Sequence, residues 1–432
     1  MAVAPNPVES LSRALLSRLA EARRRTDALF SLLKPDALYD RPIPERHRIV
    51  FYIGHLEAFD WNLLRERLLS IASFNPELDH LFAFGIDPVD GGLPTDQPGD
   101  WPQIEEVRGY VRRVRQELDL GLDQLFTRPQ KDNEFPPELL LNVAIEHRLM
   151  HAETLAYMFH QLPFDRKTRP APEGVISSAT LVPRMIEIPA GEITLGLSRN
   201  GRQFGWDNEF EAQTVQVPAF AIDEFKVTNA QFMEFVNDGG YGSRELWAEA
   251  DWNWITQSGI ANPVFWVSRE GQWFYRGMFE EIALPSNWPV YVSHAEASAY
   301  ARWAEKALPS EAQWQRAAYG KRNPQALSGN FDFQRWDPAP VDSPAGGSSA
   351  FGVRDIFGNG WEWTSTIFAP FPGFEKFPFY PGYSANFFDG KHYVMKGGSS
   401  RTAACMMRPS FRNWFQPHYQ YVYAGFRCVR NA

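Results

Sequence analysis

The chain is 432 residues long, more than one ordinary domain holds, and 44% hydrophobic, which is ample for two cores. Its net charge of −9 carries no long run of one sign, which argues against a nucleic-acid surface, and no apolar run nears the ~18 residues of a membrane span. The opening MAVAPNPVES has neither a basic n-region nor an apolar h-region, and Cys405 and Cys428 are too few for a disulfide framework, so a reducing cytoplasm is the expected compartment.

The first third reads as four amphipathic helices. Residues 8–33 place Leu11, Ala14, Leu15, Leu19 and Ala22 on one stripe, behind start signals at Pro7 and Ser10. Residues 47–73 form a second predicted helix, and 101–126 a third that opens after the Pro-rich DQPGDWP. A fourth covers 136–162, with Pro136 and Pro137 at its front. Such a series predicts an antiparallel four-helix bundle over residues 1–165. Residues 166–181 are Pro-rich and polar and read as a linker. From 182 to 432 the chain changes to short alternating runs split by Pro and Gly, then to a tail rich in Gly, Trp, Phe and Tyr. This predicts an irregular α+β domain held by aromatic packing and turns.

The segment IEHRLMHAET puts His147 and His151 four apart on the fourth helix, so both imidazoles leave one face. His55, on the second helix, is a third ring that can converge with them. A pair at i, i+4 joined by a ligand from a facing helix is a common way for a bundle to hold a metal. Three histidines on one side of an ion leave other positions open, which suits iron(II), although zinc fits the same ligands. Glu57, Glu146 and Glu153 are candidates to orient the ring N–H groups. His47, His80 and His160 read as surface or helix-end residues. A helix also carries such pairs with no metal at all, so spacing alone leaves the question open.

The second part contains, in order, VTNAQFMEFV, NWPVYVSHAEASAYARWA, LPSEAQWQRAA, FGVRDIFGNGWEWTST, VMKGGSS and AGFRCVR. Together these resemble the formylglycine-generating-enzyme/sulfatase-modifying-factor domain, a variant of the C-type lectin fold, over roughly residues 183–431. Most of the matching residues build turns and core; Gly358 and Gly360 suit tight turns beside Trp361 and Trp363. Formylglycine-generating enzymes carry two cysteines at the third and eighth residues beyond the Ser that here is Ser399. Those positions are Thr402 and Met407, so that activity is not expected.

The bundle, with HRLMHAE as its form of an HxxxHxE motif, resembles the DinB-like domain. The combination resembles the hercynine-dependent non-haem iron(II) enzymes: ergothioneine-type sulfoxide synthases, ovothiol-type synthases and selenoneine synthase. The resemblance implies a multidomain chain, a DinB-like four-helix bundle followed by a C-type-lectin-like domain. It also implies Fe(II) as cofactor on His55, His147 and His151 where the domains meet, and dioxygen as co-substrate. It gives RPSFRNWFQPHYQYVYAGFR the role of holding hercynine, the trimethylated betaine of histidine. Asn413 would take the carboxylate, and Trp414 and Phe415 would face the trimethylammonium. Tyr380 aligns with a catalytic Tyr of some members, with Tyr383 as a rival and a structural role as the alternative.

Two departures bear on the chalcogen donor. Relatives that use γ-glutamylcysteine carry Arg in the loop before the third helix, and an acidic residue and an Arg just beyond the Asn-Trp pair. Such groups clamp a charged donor directionally. Here residues 82–102 contain no Arg or Lys; cysteine users often carry a Tyr pair in this loop, which here has Phe84 and Asp87 in the vicinity and no Tyr; and the later positions are Phe415 and Tyr419. Met150 stands where relatives often have Gln. A cleft of aspartates and rings suits a neutral selenosugar, with Asp87, Asp90 or Asp96 as acceptors. The expectation is therefore selenoneine synthesis, with an ergothioneine-type synthase taking cysteine or γ-glutamylcysteine as the alternative. A DinB-type metal-dependent thiol transferase, and a lectin-like binding protein with a dimerising bundle, are further readings. Only small-molecule substrates are expected, with no nucleic acid or membrane partner.

Overall fold

The computed structural model describes residues 7–83, 93–127, 134–170, 174, 176, 181–201, 203–320, 327–343 and 346–431. By its internal contacts the chain divides into two compact units, Met1–Ala171 and Pro172–Ala432.

The first unit is helical. Its long helices are α1 (Pro7–Phe30), α2 (Ile49–Leu64), α4 (Ile104–Thr127) and α5 (Pro137–His160), with a short α3 (Pro76–Leu81) between α2 and α4. α1 packs on α5, and α2 on both α4 and α5. α4 is amphipathic in the simple sense, burying Val107, Tyr110, Val114, Leu118 and Leu122 at three- and four-residue steps. α2 and α5 are buried on nearly every face, so they form the centre of the unit. The stripe of α1 differs from the expected one. Leu11 is 48% exposed and Ala14 is also outside, while Leu15, Leu19, Ala22, Thr26 and Leu29 are buried. Thr26 can join this stripe because its hydroxyl donates to the carbonyl of Arg23 in its own helix (2.9 Å). The predicted second helix also ends early: a π-turn at Arg65–Leu69 stops on Ser70 at φ 53°. Asn75 then caps α3, its side chain accepting from the amide of Leu78 (3.1 Å). No helix among the described residues is long and apolar enough to cross a membrane.

The second unit is sheet-rich, with four small sheets among its described residues. β1 (Met185–Ile188), β4 (Phe220–Asp223) and β12 (Val429–Asn431) form an antiparallel sheet with β4 central. β2 (Gly191–Leu195) pairs with β3 (Gln213–Val217), and β5 (Trp266–Arg269), β6 (Gln272–Arg276) and β7 (Glu281–Ala283) form a meander. The fourth sheet has the order β10-β9-β8-β11, from β8 (Trp361–Ile367), β9 (Tyr393–Lys396), β10 (Asn413–Phe415) and β11 (Ala424–Gly425). Three of its helices begin on Ser or Thr caps answered three residues later. These are α6 (Asn229–Asn237) on Thr228/Gln231, α8 (His294–Trp303) on Ser293/Glu296 and α9 (Glu311–Tyr319) on Ser310/Gln313. α7 (Glu249–Ser258) ends on Gly259 at φ 63°. Gly358 sits at φ 75°, and a Cβ there would lie 2.3 Å from the carbonyl oxygen of Asn330, so the turn before buried Trp361 and Trp363 needs glycine twice over. Thr402 and Met407 are buried, the hydroxyl of Thr402 accepting from the amide of Ser399 (2.8 Å).

Candidate metal centre

The side chains of His55, His147 and His151 converge. One ligand nitrogen from each lies within 4.8 Å of the others, and all three residues are buried. Ring centroids stand 4.5 Å apart for His147 and His151, 4.9 Å for His55 and His151, and 5.4 Å for His55 and His147. Among the described residues this is the one group of three or more His, Cys, Asp or Glu that can hold an ion. Phe59 stacks on His147 at 3.4 Å and Phe51 on His55 at 4.8 Å, so the walls are apolar.

The orientation of His55 has a traceable cause. Gly54 lies against the ring of Phe82, and a Cβ there would meet that ring at 2.5 Å. The close approach lets the carbonyl of Phe82 accept from Nδ1 of His55 at 2.7 Å. Nε2 is then the nitrogen left for an ion, the usual arrangement of a metal-bound imidazole. Burial lowers the pKa of His55 to about 4, against the Phe82 carbonyl, which raises it. Burial also drives His147 and His151 well below the ordinary range, helped for each by another ring of the trio. Three neutral imidazoles result at pH 7. His55 Nε2 and His151 Nδ1 are buried without a hydrogen-bond partner, which is costly for a polar atom unless something else meets it. The donor set fits a divalent transition metal such as iron(II) or zinc.

Glu57, expected to orient a ring, does something else. Its carboxylate takes Arg148 (2.9 Å) and Arg115 (2.7 Å and 2.9 Å). A carboxylate forked by two guanidiniums is engaged by charge, and the orienting role falls to a backbone carbonyl instead. Glu146 and Glu153 are buried on α5. Met150 is half-buried on the same helix. His80 is exposed in the last turn of α3, His47 is half-buried, and His160, at the end of α5, is buried.

Asp96 is likewise spent. It accepts from Arg41, from Nε of Arg48 (3.0 Å) and from Nε1 of Trp101 (2.7 Å), so it pins the loop and is no open acceptor for a sugar. Cations do reach this loop, but from Arg41 and Arg48, and Asp96 neutralises them. Phe84, Asp87 and Asp90 lie outside the described residues.

In the second unit Asn413, Trp414 and Phe415 form β10, facing Met395, Val394 and Tyr393 of β9. Trp414 is half-buried, with Phe368 stacked at 4.2 Å, Tyr383 edge-on at 5.5 Å and Phe387 tilted at 5.7 Å. Behind Phe368 stands the Arg412 guanidinium, 5.0 Å from its ring. The side-chain oxygen of Asn413 accepts from the amide of Trp414 (2.9 Å). Phe415 stacks on Tyr419 at 4.9 Å. Tyr383 is buried and stacked on Trp206 at 4.0 Å, while Tyr380 is half-buried, 5.7 Å from Tyr383. Neither Phe82, acting through its backbone, nor Gly54 was singled out from sequence, and the close glycine was the one available hint.

Residues 172–432 match the Sulfatase-modifying factor enzyme 1-like domain, and residues 18–155 match the DinB superfamily. A protein of Mycolicibacterium smegmatis named hercynine oxygenase is 33% identical over 96% of this chain and 98% of its own length. Ergothioneine biosynthesis protein 1 of Neurospora crassa is 27% identical over 93% of this chain and 56% of its own. Formylglycine-generating enzyme of Mus musculus is 31% identical over 57% of this chain and 74% of its own. The chain thus belongs to the hercynine oxygenase family, with a DinB superfamily domain followed by a Sulfatase-modifying factor enzyme 1-like domain.

Proposed function

We propose that this chain is an oxygen-dependent non-haem iron(II) enzyme that joins a chalcogen to C2 of the hercynine imidazole. The observation that carries the reading is the meeting of the buried His55, His147 and His151, with Nε2 of His55 and Nδ1 of His151 lacking a hydrogen-bond partner. Iron(II) held there would supply open coordination positions for both reactants and dioxygen, making bond formation effectively intramolecular. Dioxygen is the four-electron oxidant: the C2–H and chalcogen–H bonds are lost as the carbon–chalcogen bond forms, one oxygen atom leaves as water and the other ends on the chalcogen.

The protein's part is to bind and orient. Phe51 and Phe59 keep water from the ligand rings. The oxygen of Asn413 is committed to Trp414, so its NH2 end is the one that can donate to the hercynine carboxylate. Trp414, walled by Phe368 and Phe387, offers a π-face to the trimethylammonium, an attraction of ~0.5–2 kcal/mol. Tyr380 is the proposed proton donor, and Tyr383 packs as structure.

For the donor we favour a neutral selenosugar, whose selenoxide adduct would give selenoneine by elimination of the sugar and reduction of the resulting selenenic acid by an external thiol. The stacked Phe415 and Tyr419 carry no cation to fork a carboxylate, and Arg41 and Arg48 are already paired. The names of the relatives favour a second reading, an ergothioneine-type synthase using cysteine or γ-glutamylcysteine. The iron-loaded protein should be given hercynine and dioxygen with the three donors in competition. Selenosugar turnover should dominate; faster use of either thiol would decide for sulfur, and no bound iron would remove both readings.

A further inference from the structure

The residue next to His147 on α5 is a fully buried arginine, Arg148, 0% exposed. A guanidinium is tolerated there only if its N–H groups are met. Nη2 donates to the carbonyl of Leu56 (2.9 Å) and to Oδ2 of Asp60 (2.6 Å). Nε donates to the same Asp60 oxygen (3.2 Å), and Nη1 to Oε1 of Glu57 (2.9 Å). Leu56 and Glu57 directly follow His55. One side chain, rooted between two ligands on α5, therefore grips the turn of α2 that begins at the third. Arg115 of α4 ties Glu57 onward to Asp27 of α1 (2.7 Å and 2.8 Å), so the four long helices are cross-linked at this level.

Apolar contacts alone specify register weakly, because one aliphatic side chain packs much like another. A guanidinium fork is directional. A slip of α2 by one residue, ~1.5 Å and ~100° of rotation, would break every one of these bonds and swing His55 away from its partners.

We propose that Arg148 is a positioning residue of the metal centre: its fork onto Leu56, Glu57 and Asp60 sets the register of α2 against α5, and so the convergence of His55 with His147 and His151. It acts through the helices and touches no reactant. The inference rests on the metal reading of the trio. Simple charge balance is the competing role, and it makes a different demand. Charge balance is satisfied once no buried charge is left unpaired; register needs the fork.

The test uses the full-length, metal-free protein, titrated anaerobically with iron(II) and with cobalt(II), whose visible spectrum reports ligand geometry, alongside thermal melting. Two variants are compared: Arg148→Lys, and the triple Glu57→Gln/Asp60→Asn/Arg148→Met, which leaves no member of the fork charged. Both should bind cobalt(II) at least tenfold more weakly with an altered spectrum, even where the triple variant melts as high as the parent. Parental affinity and spectrum in either folded variant would overturn the proposal. If Arg148→Lys is too unstable to titrate, the triple variant decides. If the parent binds neither metal, the metal reading fails and not the role of Arg148.

Discussion

The two places where chemistry-bearing residues gather are built on opposite plans. In the helical unit the imidazoles are 2–4% exposed, neutral by burial and walled by phenylalanine. In the sheet-rich unit Asn413, Trp414 and Phe415 are half-exposed on a three-residue strand, backed by rings that leave faces open. A metal ligand must keep a bare lone pair ready, so it is sealed from water and from protons. A surface that recognises a quaternary ammonium needs an accessible π-face and an accessible donor. The two plans share one feature, a buried ion pair close by: Arg148–Glu57–Asp60 in one, Arg412–Glu311 in the other (3.0 Å). Each arginine also donates to a backbone carbonyl, Arg148 to that of Leu56 (2.9 Å) and Arg412 to that of Ala369 (3.0 Å).

The contrast can be broken by mutation. Alanine at His55, His147 or His151 should abolish iron loading and lower turnover by about a thousandfold or more, while Trp414→Ala keeps one iron per chain. Iron analysis of the four variants checks this, and equal loss in all would erase the distinction between the units. Next in size, Gly54→Ala would push into the ring of Phe82, an overpacking cost of ~1–3 kcal/mol. It should weaken metal binding about tenfold by moving the carbonyl that orients His55, with KM for hercynine unchanged, as titration and steady-state kinetics would show. Trp414→Ala should give the reverse pattern, KM up about tenfold from a lost cation–π contact of ~1 kcal/mol and its packing. Trp414→Phe should recover most of that.

A separate test is pH dependence. His55 has a folded pKa near 4 against an ordinary 6.5, so between these values the unfolded chain binds more protons. Stability of the metal-free helical unit should therefore fall as pH drops from 6.5 toward 4, by on the order of 3 kcal/mol from this ring alone. Melting followed by far-ultraviolet dichroism across that range checks the sign. His147 and His151, also held well below the ordinary range, add to the slope in the same direction, so His55→Phe should reduce it without removing it.

Much of the molecule was legible before its structure. The 3.6-residue pattern marked the four long helices of the first unit. What misled was chemistry without context. Glu57 and Asp96 have the composition of an orienting base and a sugar acceptor, yet each is consumed by arginines distant in sequence. The carbonyl of Phe82 that aims His55 has no signature at all, because every residue carries one.

That His147 and His151 share a face follows from sequence alone, since helix geometry is local and four residues always span about one turn. That His55 meets them is a different kind of fact. It depends on how α2 lies against α5, which hydrogen bonds between remote residues decide. Short-range order is written in neighbouring residues; the meeting of distant side chains comes only from the packing that closes the chain on itself.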